Sequence, residues 1–369
     1  MKIEKVELIH VKLVFKHPYL TGAGGGGKDR HLLIVKMHAD GIIGYGEVSA
    51  NYSPYYSPET IGTALYILRD FLVPPILHTD IKSIEDLIAT MDWCKNHNMA
   101  KSGLETAFWD LLAQKKGVPL SKLLGGTAKR IKTGVGVGIQ NSVKELLERI
   151  EMFLDRGYQK IKVKIKPGWD YEILKKIRDK FGDINLMADA NSSYQLKDLS
   201  IFKKLDELDL MMIEQPLAPD TLVEHSKLQR EIKTPICLDE SICSVRDARA
   251  AIELRSCKII NIKISRVGGP WQARLIHDLC QTRRVPVWCG SMLESGVGEA
   301  YNIAIATLPN YSLPGDIAPS DRYFYEDIVR PSIVLNPDGT IDVPTRPGMG
   351  YNVDFDRLNK YTVEKTKIA

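Results

Sequence analysis

Apolar and polar positions follow two different rhythms along this chain. Over residues 6–13 they alternate with a period of two, which predicts a strand. Residues 31–39 and 42–48 repeat the pattern around Asp40-Gly41, a pair suited to a tight hairpin turn. Helical spacing follows. Residues 59–72 place Ile61, Leu65, Ile67, Leu68 and Leu72 on one face, and residues 99–115 do the same with Leu104, Ala107, Phe108, Leu111 and Leu112. Strands first and helices after predict a separate α+β unit, which Gly125-Gly126 ends.

From Ile131 the rhythm changes to strand, then helix, then strand. An apolar strand over 134–139 precedes an amphipathic helix over 143–156, with Leu146, Leu147, Ile150, Phe153 and Leu154 on its face. Further strands are predicted near 160–165, 185–188, 210–213, 236–238, 259–262, 286–288 and 311–313. Eight strands with helices between them predict a closed barrel. An open doubly wound sheet would not bring the strand ends to one point. In the tail, residues 333–335 and 341–343 around Asp338-Gly339 predict a hairpin that returns to the first unit. The expected division is a capping domain over 1–125, a barrel over 126–325 and a return segment over 326–369.

Ionisable residues recur on the barrel rhythm. Lys164, Asp189, Glu214 and Asp239 follow one another at intervals of 25 residues, and Lys263 comes 24 after the last. Each ends a short apolar run, so all five are expected at the carboxyl ends of consecutive strands, where barrel active sites are built. A carboxylate at the end of a buried strand must be paired or metal-bound. Asp189, Glu214 and Asp239 are three hard oxygen donors, which select Mg²⁺ or Mn²⁺ over zinc. Asn191 and Glu240 lie beside them in sequence. Lys162 and Lys164 share one face of a strand. Their mutual repulsion, together with a cation, is expected to lower a lysine pKa and make a general base. Lys160 and Lys166 continue the same alternation, as they would on a solvated basic strand. The eight histidines avoid the predicted strand ends, which argues against a histidine base or a zinc hydrolase.

Composition narrows the setting. A chain of 369 residues suits a barrel plus a second domain. Fifty basic and 46 acidic residues are mixed along it, so neither a nucleic-acid tract nor a disordered charged tail is expected. The six cysteines form no Cys-x-x-Cys pair and are expected to be reduced. The first residues alternate like a strand rather than a signal peptide, and no apolar run is long enough to span a bilayer. A cytoplasmic homo-oligomer is the expectation. The stretch Gly22-Ala23-Gly24-Gly25-Gly26-Gly27-Lys28-Asp29 approaches a P-loop, but Asp29 replaces the metal-binding hydroxyl and a strand follows. Residues 22–27 are expected instead to form a mobile lid over the barrel mouth.

The motifs together resemble the enolase superfamily, in its muconate-lactonizing subgroup, over essentially the whole chain. Lys162-Val163-Lys164 resembles the second-strand lysine motif, and Asn261-Ile262-Lys263 with Arg266 the sixth-strand motif. The segments Trp288-Cys289-Gly290-Ser291-Met292-Leu293-Glu294-Ser295-Gly296 and Pro314-Gly315-Asp316-Ile317-Ala318-Pro319-Ser320 resemble the o-succinylbenzoate synthase / N-succinylamino acid racemase family. The resemblance implies an α/β fold, a modified TIM-type (β/α)7β barrel with an α+β cap. It implies Mg²⁺ on Asp189, Glu214 and Asp239, with Lys164 and Lys263 as catalytic groups. Lys162, Asn191, Glu240, Arg266, Ser291, Met292 and Tyr56 would surround a small-molecule carboxylate substrate. Lys164 would remove the proton α to the carboxylate, giving an enediolate. Loss of a hydroxyl would then yield o-succinylbenzoate for menaquinone synthesis, or Lys263 would return a proton to the opposite face of an N-acylamino acid. A dipeptide epimerase would carry an Asp-x-Asp motif on the eighth strand, absent here, and a non-catalytic barrel would not need both lysines. Three features depart from the family pattern. Ile264-Ser265 stands where Pro-Gly is common, Gly136 where serine is common, and the 22–27 loop is unusually rich in glycine.

Overall fold

A computed structural model describes residues 1–20 and 26–369. The first unit is a four-stranded sheet in the order Thr362–Ile368, Ile3–Leu20, Gly26–Ala39, Ile42–Val48. Asp40 and Gly41 both have positive φ, as a two-residue hairpin turn of matching twist requires. The carboxyl-terminal strand joins the sheet antiparallel to the first strand. Helix Asn98–Lys115 packs across this sheet and is buried along most of its length. That close approach explains two glycines. A Cβ on Gly44 or Gly46 would lie 2.2 Å from the Ala107 carbonyl or 2.3 Å from the Gly103 carbonyl.

The helix expected over 59–72 starts later and changes type. Thr60 caps it, so the α-helix spans Ile61–Ile67 and a π-turn continues over Leu68–Leu72. Glu59 is used elsewhere: its carboxylate accepts the amides of Met99 and Ala100 at the start of helix Asn98–Lys115. Of the expected glycine lid, residues 22–25 lie outside the described residues. Gly26 and Gly27 open the second strand, paired with Leu20 and Tyr19, so a strand follows the P-loop-like stretch.

The second unit is a parallel sheet of seven strands in chain order: Val135–Val137, Ile161–Lys164, Leu186–Asp189, Ile213–Glu214, Ile236–Leu238, Ile259–Ile262 and Val287–Cys289. The expected eighth strand is not a regular strand. It is a segment held by two bridges, Tyr311 to Val287 and Gly315 to Thr133. Backbone hydrogen bonds from Gly134 to Gly315 and from Asp316 to Cys289 tie it to both edges. This is the modified barrel the resemblance implied. Met187, Met212, Cys237, Ile259 and Trp288 form a small apolar cluster of their own, apart from the main core.

The predicted tail hairpin does not form. A turn does occur at Asp338-Gly339, but residues 333–335 make no strand, and Thr340–Asp342 pairs antiparallel with Arg130–Lys132. A partner some 200 residues away wins over the neighbouring segment. All six cysteines are free, and among the described residues no helix is long and apolar enough to cross a membrane.

A buried carboxylate joins the units. Glu105, on helix Asn98–Lys115, accepts the amide of Trp271 in the first turn of helix Pro270–Thr282, and the indole N–H of Trp109. Gly269, at φ +126°, lies where a Cβ would meet that carboxylate at 2.1 Å. Burial pushes Glu105 from 4.5 to about 8, against those two hydrogen bonds. The folded protein therefore holds a proton that the unfolded chain releases. Its stabilising contribution is complete below about pH 4.5 and is lost as pH rises through about 8. The melting temperature of the wild type should fall more between about pH 6 and pH 9 than that of Glu105→Gln, which has nothing to ionise there. Parallel curves for the two proteins would contradict this.

Candidate active site

The barrel mouth collects the ends of its strands. In the sheet register Lys164 is level with Asp189, and Asp189 with Glu214. Lys160, Lys162 and Lys164 alternate inward and are buried, whereas Lys166 lies past the strand end and is exposed. The basic-strand reading therefore holds only for Lys166.

The carboxylates and cations interleave. Lys162 Nζ lies 2.9 Å from Asp189, 2.8 Å from Glu214 and 3.0 Å from Asp316. Lys164 Nζ donates to Asp189 Oδ2 at 2.6 Å and to Asn191 Oδ1 at 2.5 Å. Asn191 in turn donates to Glu240 Oε1 at 2.9 Å. Lys263 Nζ donates to Asp239 Oδ2 at 2.9 Å and to the Tyr56 hydroxyl at 3.1 Å. Arg266 pairs with the other oxygen of Asp239 and reaches the same tyrosine at 3.3 Å. Lys162, Lys164 and Lys263 open onto one cavity. Tyr56, Asn191, Ser291 and Met292 line it as well, so every residue expected at the site lies on this cavity or bonds to one that does. The Ser291 hydroxyl donates to Glu294 at 2.6 Å rather than into the open space. Gly136 also lines the cavity, and its carbonyl accepts from Arg322.

Burial lowers Lys162, but Asp189, Asp316 and Glu214 outweigh it and hold the ammonium well above its ordinary value. Lys263 is also raised: burial lowers it, and Tyr56, Glu240 and Glu214 more than offset that. The repulsion between neighbouring lysines is the smaller effect at these two side chains. Asp189 is held far below the usual carboxylate range. Burial opposes this, and Lys162 and Lys164 prevail. Glu214 goes the other way, pushed up by burial and by the adjacent Asp189.

Among the described residues no three His, Cys, Asp or Glu side chains stand ready as a cation cage. Lysine and arginine occupy the oxygens instead. The donors nevertheless fit a divalent cation. They are all hard oxygens, Asp189 and Glu214 crowd each other, and Glu240 Oε2 is buried without a hydrogen-bond partner.

Several residues of the site were not singled out from the sequence. Asp316 stands in a quoted motif, and its position on the closing segment was the available clue. It pairs with Lys160 at 2.9 Å as well as with Lys162. Asn261 donates to Glu214 at 2.9 Å and lies two residues before Lys263, so strand periodicity alone could have found it. Asn51, which lines the cavity, carried no such signal.

Comparison with known proteins agrees with this geometry. Residues 145–357 match the family described as enolase C-terminal domain-like, and residues 5–125 match the mandelate racemase / muconate lactonizing enzyme N-terminal domain. The chain is 50% identical over 362 residues to an o-succinylbenzoate synthase of Geobacillus kaustophilus, covering 98% of this chain and 96% of that protein. It is 42% identical over 363 residues to an N-succinylamino acid racemase of Thermus thermophilus, covering 98% of each. An enolase-superfamily structure from Listeria innocua superposes with a TM-score of 0.96 at 40% identity, over 100% of this chain and 99% of that one. A dipeptide epimerase from Cytophaga hutchinsonii, solved with Mg and a dipeptide, superposes with a TM-score of 0.93 at 28% identity, over 100% of both chains.

Calorimetric titration with Mg²⁺ should show one site in the wild type and none in Asp239→Asn. At about a hundred times its Kd, Mg²⁺ should stabilise the wild type by about 2.7 kcal/mol. A wild type that binds no Mg²⁺ and melts identically in chelator would refute the metal assignment.

Proposed function

The chain belongs to the mandelate racemase / muconate lactonizing enzyme group of the enolase superfamily, and from that premise we propose that it is an o-succinylbenzoate synthase. Its reaction would be the dehydration of 2-succinyl-6-hydroxy-2,4-cyclohexadiene-1-carboxylate. The observation that carries the reading is one cavity with Lys164 and Lys263 both opening onto it, each hydrogen-bonded to a different buried aspartate. The names carried by the relatives support the substrate class.

Asp189, Glu214 and Asp239 would hold a divalent cation, which supplies electrostatic stabilisation as negative charge builds on the substrate carboxylate. Lys164 takes the proton α to that carboxylate. The C–H electron pair moves into the carboxylate to give an enediolate. Its return forms the ring double bond as the C–O bond to the 6-hydroxyl breaks. The departing hydroxide takes the proton that Lys164 holds and leaves as water. Lys263, fixed by Asp239 and Tyr56, is a cation beside the developing charge, where preorganised charge counts most.

A second activity is favoured by Lys263 itself. An elimination needs a single base, yet Lys263 is an ammonium with direct access to the cavity. With an N-succinylamino acid, Lys263 would return a proton to the face opposite Lys164 and so invert the α carbon.

The test is kcat/KM on both substrate classes. Lys164→Ala should lose about 10²–10⁴-fold in each, because both begin with the same proton abstraction. Lys263→Arg keeps the charge but is a poor proton shuttle, so it should retain more synthase than racemase activity. Equal residual activities in Lys263→Arg would show that the division of roles is wrong. A wild type that dehydrates nothing would remove the synthase reading.

A further inference from the structure

Arg30 is a buried cation with no carboxylate among its hydrogen-bond partners in the described residues. It sits on the second capping strand, 4% exposed, and all three guanidinium nitrogens donate to neutral oxygens. Three of the five bonds go to the capping side: Ser49 O at 2.5 Å, Ala50 O at 3.1 Å and Asn51 Oδ1 at 2.6 Å. The other two cross to the barrel, to Met292 O at 2.7 Å and Leu293 O at 3.3 Å. Asn51, Met292 and Leu293 all line the central cavity. One side chain therefore spans two of its walls.

The barrel loop it holds is under strain. Leu293 has φ of +60°, a left-handed conformation that a side-chain-bearing residue keeps only where its surroundings impose it. Glu47, on the next capping strand, completes the restraint. Its carboxylate accepts the amide and hydroxyl of Ser295 and the amide of Gly298, at the start of helix Gly296–Ile305. The cap thus offers a cation to the carbonyls of this loop and a carboxyl group to its amides.

We infer that Arg30 is a positioning residue for the substrate cavity: it fixes the Met292–Leu293 wall against the Ser49–Asn51 segment, and so governs substrate fit without touching substrate. The inference rests on the cavity being the substrate site proposed above. Lysine cannot replace the guanidinium, because a point charge on a flexible stem cannot serve two loops in fixed directions.

The test compares the full-length wild type with Arg30→Lys and Arg30→Met by hydrogen–deuterium exchange and by steady-state kinetics. Amides of 292–295 should exchange about tenfold faster in both variants, while those of helix Asn98–Lys115 keep their protection. KM should rise about tenfold with kcat within about threefold, because the catalytic lysines are not disturbed. Unchanged exchange in the loop would overturn the inference. So would uniform acceleration across both units, or a fall in kcat at constant KM. Should Arg30→Met fail to fold, Arg30→Lys decides. Should the wild type turn over neither substrate class, the functional reading falls and the exchange result alone upholds or overturns Arg30's role.

Discussion

Lys162 holds Asp189, Glu214 and Asp316 within 3.0 Å of one buried ammonium. Neither sign of charge is tolerable there alone. Removing one partner of a buried pair typically costs about 3–5 kcal/mol, because the other charge stays behind. The pairing also has a mechanical side. Two bridges hold the segment that closes the barrel, and Asp316 anchors it further through Lys160 and Lys162 on the second strand. Lys160 is fully buried over the ring of Trp288, at 3.7 Å from its centre. Lys162 and Asp316, which help to close the fold, therefore also line the candidate site.

The cap is bound to this mouth by polar groups as much as by apolar surface. Glu105 and Glu47 each meet the amino end of a barrel helix, where the dipole and unpaired amides favour an acceptor. Asn98 donates to the carbonyls of Cys243 and Arg266. Tyr56 reaches Lys263 and Arg266. A substrate pocket assembled from both units depends on their register, and these bonds are directional enough to set it.

How far the sequence could be read depends on how local each signal is. The rhythm that carries Lys164, Asp189, Glu214, Asp239 and Lys263 is local, because each strand end is marked by the few residues before it. The cluster was legible for that reason. The hairpin expected after residue 333 failed because Thr340–Asp342 finds its partner at Arg130–Lys132, and pairing with a distant strand leaves no mark nearby. Arg30 and Glu47 were silent for the same reason: their partners lie about 250–260 residues further on. The direction of a buried lysine's pKa depends on the sum of all surrounding charges, which no single strand shows. Asp316, on the closing segment, belongs to that sum at Lys162 and leaves no mark near it in the sequence.

The central claim is that Lys164 and Lys263 face one carbon from opposite sides. Proton NMR in D₂O on single enantiomers of an N-succinylamino acid tests it most directly. Lys263→Ala, with Lys164 as its remaining base, should exchange the α proton of one enantiomer with retention of configuration and leave the other untouched. Exchange of both enantiomers at comparable rates, or continued inversion, would mean that the two lysines do not divide the faces between them.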